Sequence, residues 1–282
     1  MDGAVLIDKE KGVSSFDVVR KVKKLTNLKS VGHTGTLDPL ATGLLTIVIG
    51  KATSLSDYLM AKDKVYIASL ILGIKTTTYD MEGEIIAKTI PLVNIEDIKK
   101  SVEEIKAIGT QKPPAYSAIK IDGKKAYELA RKNIIVDLKE REIKIFSIDI
   151  LSFTHDILKL RIHCSKGTYI RSIANDLGEM LGCGATIQDL RRVQSGNFCI
   201  ENSVELSQLT EENIYDHLIS PEDLLREYEI LKVPAELNKK ILNGIPVFCD
   251  LKDGYYRIYF ENSFFGFGKI ADKKIKVIKK FV

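Results

Sequence analysis

The segment Gly32-His33-Thr34-Gly35-Thr36-Leu37-Asp38-Pro39-Leu40-Ala41-Thr42-Gly43 crowds reactive residue types into one short stretch. A carboxylate such as Asp38 can attack an electrophilic carbon or take a proton. The glycines let the backbone approach a ligand closely, and binding groups concentrate on such loops. Asp before Pro is also a common turn initiator, so a purely structural turn is the competing reading. Other chemistries lose their usual handles. Gly43 and Gly50-Lys51 only faintly resemble a phosphate loop, because the spacing is too long and Ala52 stands where Ser or Thr belongs. No G-x-G-x-x-G opens a helix, and neither G-x-S-x-G nor H-E-x-x-H occurs. Cys164, Cys183, Cys199 and Cys249 form no C-x-x-C, and His33, His155, His163 and His217 form no H-x-x-x-H. Neither a disulfide framework nor a zinc site is therefore expected.

Further blocks accompany this loop in order along the chain. They are Asp8-Lys9, Gly12-Val13-Ser14-Ser15, Lys64-Val65-Tyr66, Pro113-Pro114-Ala115-Tyr116-Ser117-Ala118, Lys166-Gly167-Thr168-Tyr169-Ile170-Arg171 and Leu190-Arg191-Arg192. Together with the G-x-L-D-x-x-A-x-G core around Asp38, they resemble the bacterial tRNA pseudouridine-55 synthases of the TruB type. The resemblance spans about residues 3 to 200. Glu10 departs from it, because the family commonly has Pro after the Asp-Lys pair. That departure concerns a local turn and not the chemistry.

The resemblance implies an isomerase that detaches uracil from ribose at N1, turns it and rejoins it through C5. No atoms are gained and nothing is oxidised, so no cofactor and no metal are expected. It casts Asp38, Tyr66 and Arg171 as catalytic. Asp38 would act as nucleophile or as the base that starts a ribose-side elimination. Arg171 would keep it ionised, and Tyr66 would stack on the base. The implied substrate contacts are His33, which would fill the gap left in the RNA stack, with Tyr66, Tyr169 and Leu190 around the flipped base. The implied partner is the T-arm of tRNA, recognised by shape and phosphate contacts. A guide-RNA-dependent synthase of the dyskerin kind and a non-catalytic RNA-binding protein are the alternatives.

Elements must hold these residues in place. Ser14 and Asp17 read as a capping box ahead of a helix with Phe16, Val19, Val22 and Leu25 on its apolar stripe. Strands are predicted over residues 44–49, 65–72, 143–150 and 157–164. Helices are predicted after Asn94, through Ile95, Ile98, Val102 and Ile105, and over 169–181, with Gly182 as C-cap. Strands and helices mix without a βαβ rhythm, so the expected class is α+β with a mixed sheet. Short strands over 255–260, 264–270 and 274–281 suggest a small β-barrel, similar to the PUA-type RNA-binding module. An acid-rich, helix-like stretch over 207–228 would join it to the core. The expected division is a catalytic domain over 1–230 and a PUA-like module over 231–282.

The chain has 282 residues, 45% of them hydrophobic and 28% charged, the balance of a folded globular protein. No apolar run is long enough to span a bilayer, and residues 1–12 do not read as a secretory signal. A cytoplasmic monomer with no membrane association is expected. The net charge is only +4, yet from Val233 to the end ten basic residues face five acidic ones. Lys273, Lys274, Lys276, Lys279 and Lys280 cluster there. That pattern suits either a solvated strand face or a phosphate-facing surface.

Overall fold

The structure, a computed structural model, describes residues 2–117, 119–121, 123–130, 132, 134 and 137–281. Ala118, the last residue of the Pro-Pro-Ala-Tyr-Ser-Ala block, lies outside the described residues, as does Val282.

A mixed sheet forms the frame. Its strands run in the order Ile145–Thr154, Ile157–Cys164, β4 (Lys64–Leu72), Ala185–Ser195, β3 (Thr42–Ile49), β1 (Gly3–Lys9) and Val204–Glu205. The short β2 (Val31–His33) pairs with β3. Ala185–Ser195 runs parallel to β3 and antiparallel to β4, which makes the sheet mixed as expected. One face is covered by α1 (Ser15–Thr26), α3 (Ile95–Lys106) and α5 (Ile170–Met180). Val18, Val19 and Val22 of α1, Ile98, Val102 and Ile105 of α3, and Ile170, Ile173 and Leu177 of α5 bury themselves there with Tyr66, Leu70, Leu160 and Ile162 of the strands. This is the packing of three amphipathic helices on one sheet face.

The predicted boundaries hold for most elements. Ser14 caps α1 and exchanges hydrogen bonds with Asp17, the capping box read from sequence. Asn94 caps α3 in the same manner with Asp97. Gly182 (φ +69°) follows α5 in the left-handed region and donates to the Glu179 carbonyl. Three expectations need correction. Phe16 is 67% exposed, and Val18 takes its place on the buried stripe. The stretch 207–228 is mostly turns, with only a 3-10 turn at Leu206–Gln208 and the four-residue helix Pro221–Leu224 capped by Ser220. Its Thr210, Asn213 and Ser220 side chains bond local backbone at the start of short turns that do not extend into longer helices. Of the sheet strands named above, β1, β2, Ala185–Ser195 and Val204–Glu205 were not anticipated.

The C-terminal strands form a separate sheet in the order Glu229–Val233, Gly254–Phe260, Ser263–Ala271, Lys274–Lys280 and Val247–Phe248. Among the described residues its two edge strands are not paired with one another, so the pairing is that of an open sheet and not a closed barrel. It has its own apolar core around Leu231, Val247, Ile258 and Phe265. It also docks on the larger sheet. Phe267 is buried against Val48, Leu55, Leu59 and Leu225, and its ring stacks on Tyr255 with centroids 5.6 Å apart.

Candidate active site

Asp38 stands on the loop between β2 and β3, and that loop is anchored on both sides of the aspartate. On one side, Ser15 at the start of α1 accepts from the Leu37 N–H (2.8 Å) and donates to the Leu37 carbonyl (3.0 Å). On the other, the Pro39 carbonyl accepts from the Gly12 N–H (2.8 Å) and from Lys9 Nζ (3.4 Å). Ala41 N–H closes the turn onto the Asp38 carbonyl at 3.0 Å. The two N-terminal blocks therefore act as clamps on the Asp38 loop. Leu37 and Leu40 are buried beneath it, while the Asp38 side chain stays 37% exposed at the cavity floor.

Register brings the remaining blocks to this point. Arg192 sits opposite Tyr66 on β4 and opposite Gly43 on β3. Gly43 has φ +99°, and a Cβ there would strike the Arg192 backbone, so the close approach requires glycine. Arg192 is only 2% exposed and donates through Nε to the Leu44 carbonyl (2.8 Å) and through Nη2 to the Gly35 carbonyl (3.1 Å). Those bonds hold the opposite end of the Asp38 loop. Gln111 pins the entry to α5, accepting from the Tyr169 N–H (2.8 Å) and donating to the Tyr169 carbonyl (3.1 Å).

Arg171, in the first turn of α5, is the centre of the arrangement. Its Nε lies 2.9 Å from Asp38 Oδ2 and its Nη1 3.3 Å from Asp80 Oδ2. The Nε contact is an ion pair without the alignment of a hydrogen bond. Nη1 also donates to the Thr78 carbonyl (3.1 Å) and Nη2 to the Tyr116 carbonyl (3.0 Å). Asp80 is almost fully buried and accepts from Thr78 Oγ1 (2.5 Å) and the Glu82 N–H (3.1 Å). The preceding Tyr79 has φ +64°, a strained value for a bulky residue, and its carbonyl is held by the Ile187 N–H. Asp80 was not anticipated from sequence. The only signal was its turn-rich setting, Thr76-Thr77-Thr78-Tyr79-Asp80-Met81-Glu82-Gly83.

A cavity of about 540 Å³ opens above Asp38. Tyr66, Ile170 and Leu190 supply apolar wall, Ser117 and Tyr169 supply hydroxyls, and Lys64, Arg141 and Lys166 supply positive charge. Asp38, Tyr66, Arg171, Tyr169 and Leu190 thus line one cavity. His33 does not join them. It lies on β2, outside the cavity lining, with a buried Nδ1 lacking a hydrogen-bond partner among the described residues.

Burial dominates the electrostatics. The surrounding walls push the Asp38 carboxyl above its ordinary pKa; Arg171 opposes this and Asp80 adds to it. Burial raises the Tyr66 phenol, against the opposing pull of Arg192. It lowers the amines of Lys9 and Lys64 to about 8. Lys9 is held by the carbonyls of Glu10, Val13 and Pro39, and Lys64 by those of Met60 and Lys62. Burial and then Arg192 lower His33, which favours its neutral form. Among the described residues no His, Cys, Asp and Glu side chains cluster to hold a metal ion. The arrangement suits a charged nucleophile or base beneath a flat, partly apolar ring.

Residues 23–170 match the family described as TruB family pseudouridylate synthase (N terminal domain). Residues 171–230 match the tRNA pseudouridylate synthase B C-terminal domain. Among similar curated proteins, tRNA pseudouridine synthase B of Clostridium kluyveri is 43% identical across the whole of both chains. The protein of that name from Francisella philomiragia is 41% identical over 97% of this chain and 94% of its own. A solved Cbf5-Nop10-Gar1 complex contains a chain with the same fold, at TM-score 0.76 and 24% identity, covering 99% of this chain and 85% of that one.

Proposed function

The chain belongs to the TruB family of pseudouridylate synthases, and we propose that it isomerises uridine 55 in the T-loop of tRNA to pseudouridine. The observation that carries this reading is the Asp38–Arg171–Asp80 array at the floor of a cavity walled by Tyr66, Tyr169 and Leu190. A uracil stacked in the duplex-like T-arm cannot reach that floor, so it must be flipped out at a cost of a few kcal/mol. The role proposed for His33, which lies outside the cavity, is to fill the vacated stack.

Inside the cavity the C1′–N1 bond breaks, the uracil turns, and C5 bonds to C1′. The proton on C5 leaves and one is gained at N1, so atoms balance without cofactor or metal. Asp38 serves as nucleophile or as the base for a ribose-side elimination, and the same geometry accommodates both. Arg171 keeps it ionised against the desolvating walls. Tyr66 stacks on the base and, with Tyr169 and Leu190, keeps the detached ring from escaping.

Residues 231–282 form a PUA-like RNA-binding module beside a catalytic domain over 1–230. In support, the family match ends at residue 230, and the strand Lys274–Lys280 is rich in lysine. The protein works as a monomer in the cytoplasm. No helix among the described residues is long and apolar enough to cross a membrane. The test is Asp38→Asn against wild type on an unmodified tRNA transcript. Chemical mapping should find pseudouridine at position 55 with wild type and none with the variant, while both bind the transcript. Product from the variant at the wild-type rate would sink the assignment.

A further inference from the structure

The helix α1 carries a charged face that the mechanism above does not use. Along Ser15–Thr26, Arg20, Lys21, Lys23 and Lys24 stand against the single acid Asp17, and Lys29 follows just beyond the C-cap Asn27. All five cations are exposed. Asp17 pairs with Arg20 and joins Ser14 in the capping box, so its charge is answered locally. Among the described residues, no ion pair or hydrogen bond engages the side chains of Lys21, Lys23, Lys24 or Lys29. The opposite face of the helix holds Val18, Val19 and Val22 in the core. No apolar stripe is left for a lipid surface, which excludes the membrane reading of a basic amphipathic helix.

Phe16 belongs to the same outer face. Residues four apart are neighbours on a helix, so Phe16, Arg20 and Lys24 form one row about 12 Å long. A single exposed apolar side chain is unremarkable, and Phe16 would be one in isolation. An aromatic ring in line with cations is different, because a nucleic-acid strand offers phosphates to the cations and a base to the ring. The helix also ties this row to the active-site loop. Ser15, the neighbour of Phe16, exchanges two hydrogen bonds with Leu37, which adjoins Asp38. At the other end, Lys29 lies two residues before β2, the strand paired with β3. Because β2 and β3 hold the two ends of the Asp38 loop, a strand bound along α1 keeps a fixed distance from Asp38.

Building on the uridine-isomerising function proposed above, we propose that the outer face of α1 is a docking surface for the sugar-phosphate backbone of the tRNA substrate. Lys21, Lys23, Lys24 and Lys29 meet phosphates, and Phe16 lies against a base beside the loop that carries Asp38. Arg20, already paired with Asp17, contributes less. Such contacts read no sequence; they supply affinity and set how the RNA lies relative to the cavity.

The experiment measures affinity of the full chain for an unmodified tRNA transcript across a series of salt concentrations. Replacing Lys21, Lys23 and Lys24 together with Gln should lower the slope of log affinity against log salt by roughly 2, since each phosphate contact supplies about 0.7–0.9. Phe16→Ala should weaken binding about 10-fold and leave the slope alone, because a stacked ring releases no counterions. As a control for net charge, Lys99, Lys100 and Lys106 of α3 replaced with Gln should keep the wild-type slope. A merely disturbed α1 would weaken binding equally at every salt concentration, which would overturn the proposal. A wild-type slope in the α1 triple variant would overturn it too, as would an equal fall in the α3 control. Undiminished affinity in Phe16→Ala would remove the stacking contact. Failure of wild type to convert uridine 55 would instead refute the proposed function, so the two failures are distinguishable.

Discussion

The active-site cavity and the C-terminal sheet both gather positive charge, but they use it differently. At the cavity, Lys64, Arg171 and Arg192 are buried and tied to carbonyls or carboxylates, as is Lys9 behind the Asp38 loop. On the strand Lys274–Lys280 and its preceding turn, Lys273, Lys276 and Lys280 are exposed and Lys274 and Lys279 half-buried. A buried cation that loses its partners leaves other charges stranded, so it sets positions. An exposed cation meets water and counterions, so it sets affinity and is screened by salt. The contrast teaches that net charge is a poor guide to where the chemistry lies.

Arg171→Met should produce the largest break. It leaves Asp38 and Asp80 facing one another without a cation, and kcat should fall on the order of 10³-fold in a single-turnover assay. Arg171→Lys should recover little, because an ammonium cannot reach two carboxylates and two carbonyls from a planar fork. The pH profile offers a second probe. On the proposed mechanism Asp38 acts ionised, and its pKa is raised, so kcat/KM should drop tenfold per pH unit on the acid side, beginning at a higher pH than for a free carboxylate. A descending limb should appear as Lys9 and Lys64 lose their protons near pH 8. An acid limb that starts at the ordinary carboxylate pKa would contradict the desolvated site.

Smaller effects sharpen the comparison. Asp80→Asn keeps the shape but removes one charge from Arg171, and kcat should fall roughly 10- to 100-fold with little change in tRNA affinity. Ser15→Ala removes both bonds to Leu37; melting should report a loss of about 1–2 kcal/mol, with slower turnover from a looser Asp38 loop. Replacing Lys274, Lys276 and Lys279 with Gln should leave single-turnover chemistry at saturation unchanged. Binding should weaken a few-fold at low salt, and the slope of log affinity against log salt should drop by about 0.7–0.9 for each lysine that meets a phosphate. Point changes are preferable to deleting residues 231–282, because Phe264, Phe267, Ile278 and Phe281 pack on the larger sheet and a truncation would bare that apolar face.

Much of the fold was legible because periodicity and capping are local. The box at Ser14, the apolar spacing after Asn94, the alternation in Ile157–Cys164 and the stripe of α5 all reflect patterns within a few residues. Phe16 misled because it fits the helical period equally well, and only the placement of the sheet decides that Val18 faces inward. Ala185–Ser195 escaped notice because it carries Gln188, Asp189, Arg191 and Arg192, a pattern that reads as surface. Arg192 is nevertheless buried, satisfied by carbonyls from a distant segment. The C-terminal strands were readable from their turns, whereas openness of the sheet depends on which edges meet.

By itself, the sequence determined the reactive inventory: Asp38 in its glycine-rich loop, Tyr66, Tyr169, Arg171 and Leu190 in ordered blocks, and the local elements that carry them. Tertiary structure alone decided that Asp80 shares Arg171 with Asp38 and that His33 stays outside the cavity. It also decided the pKa shifts, through burial and through charges contributed by separate segments. Those outcomes rest on distances between groups far apart in the chain, and no local pattern of residues encodes them.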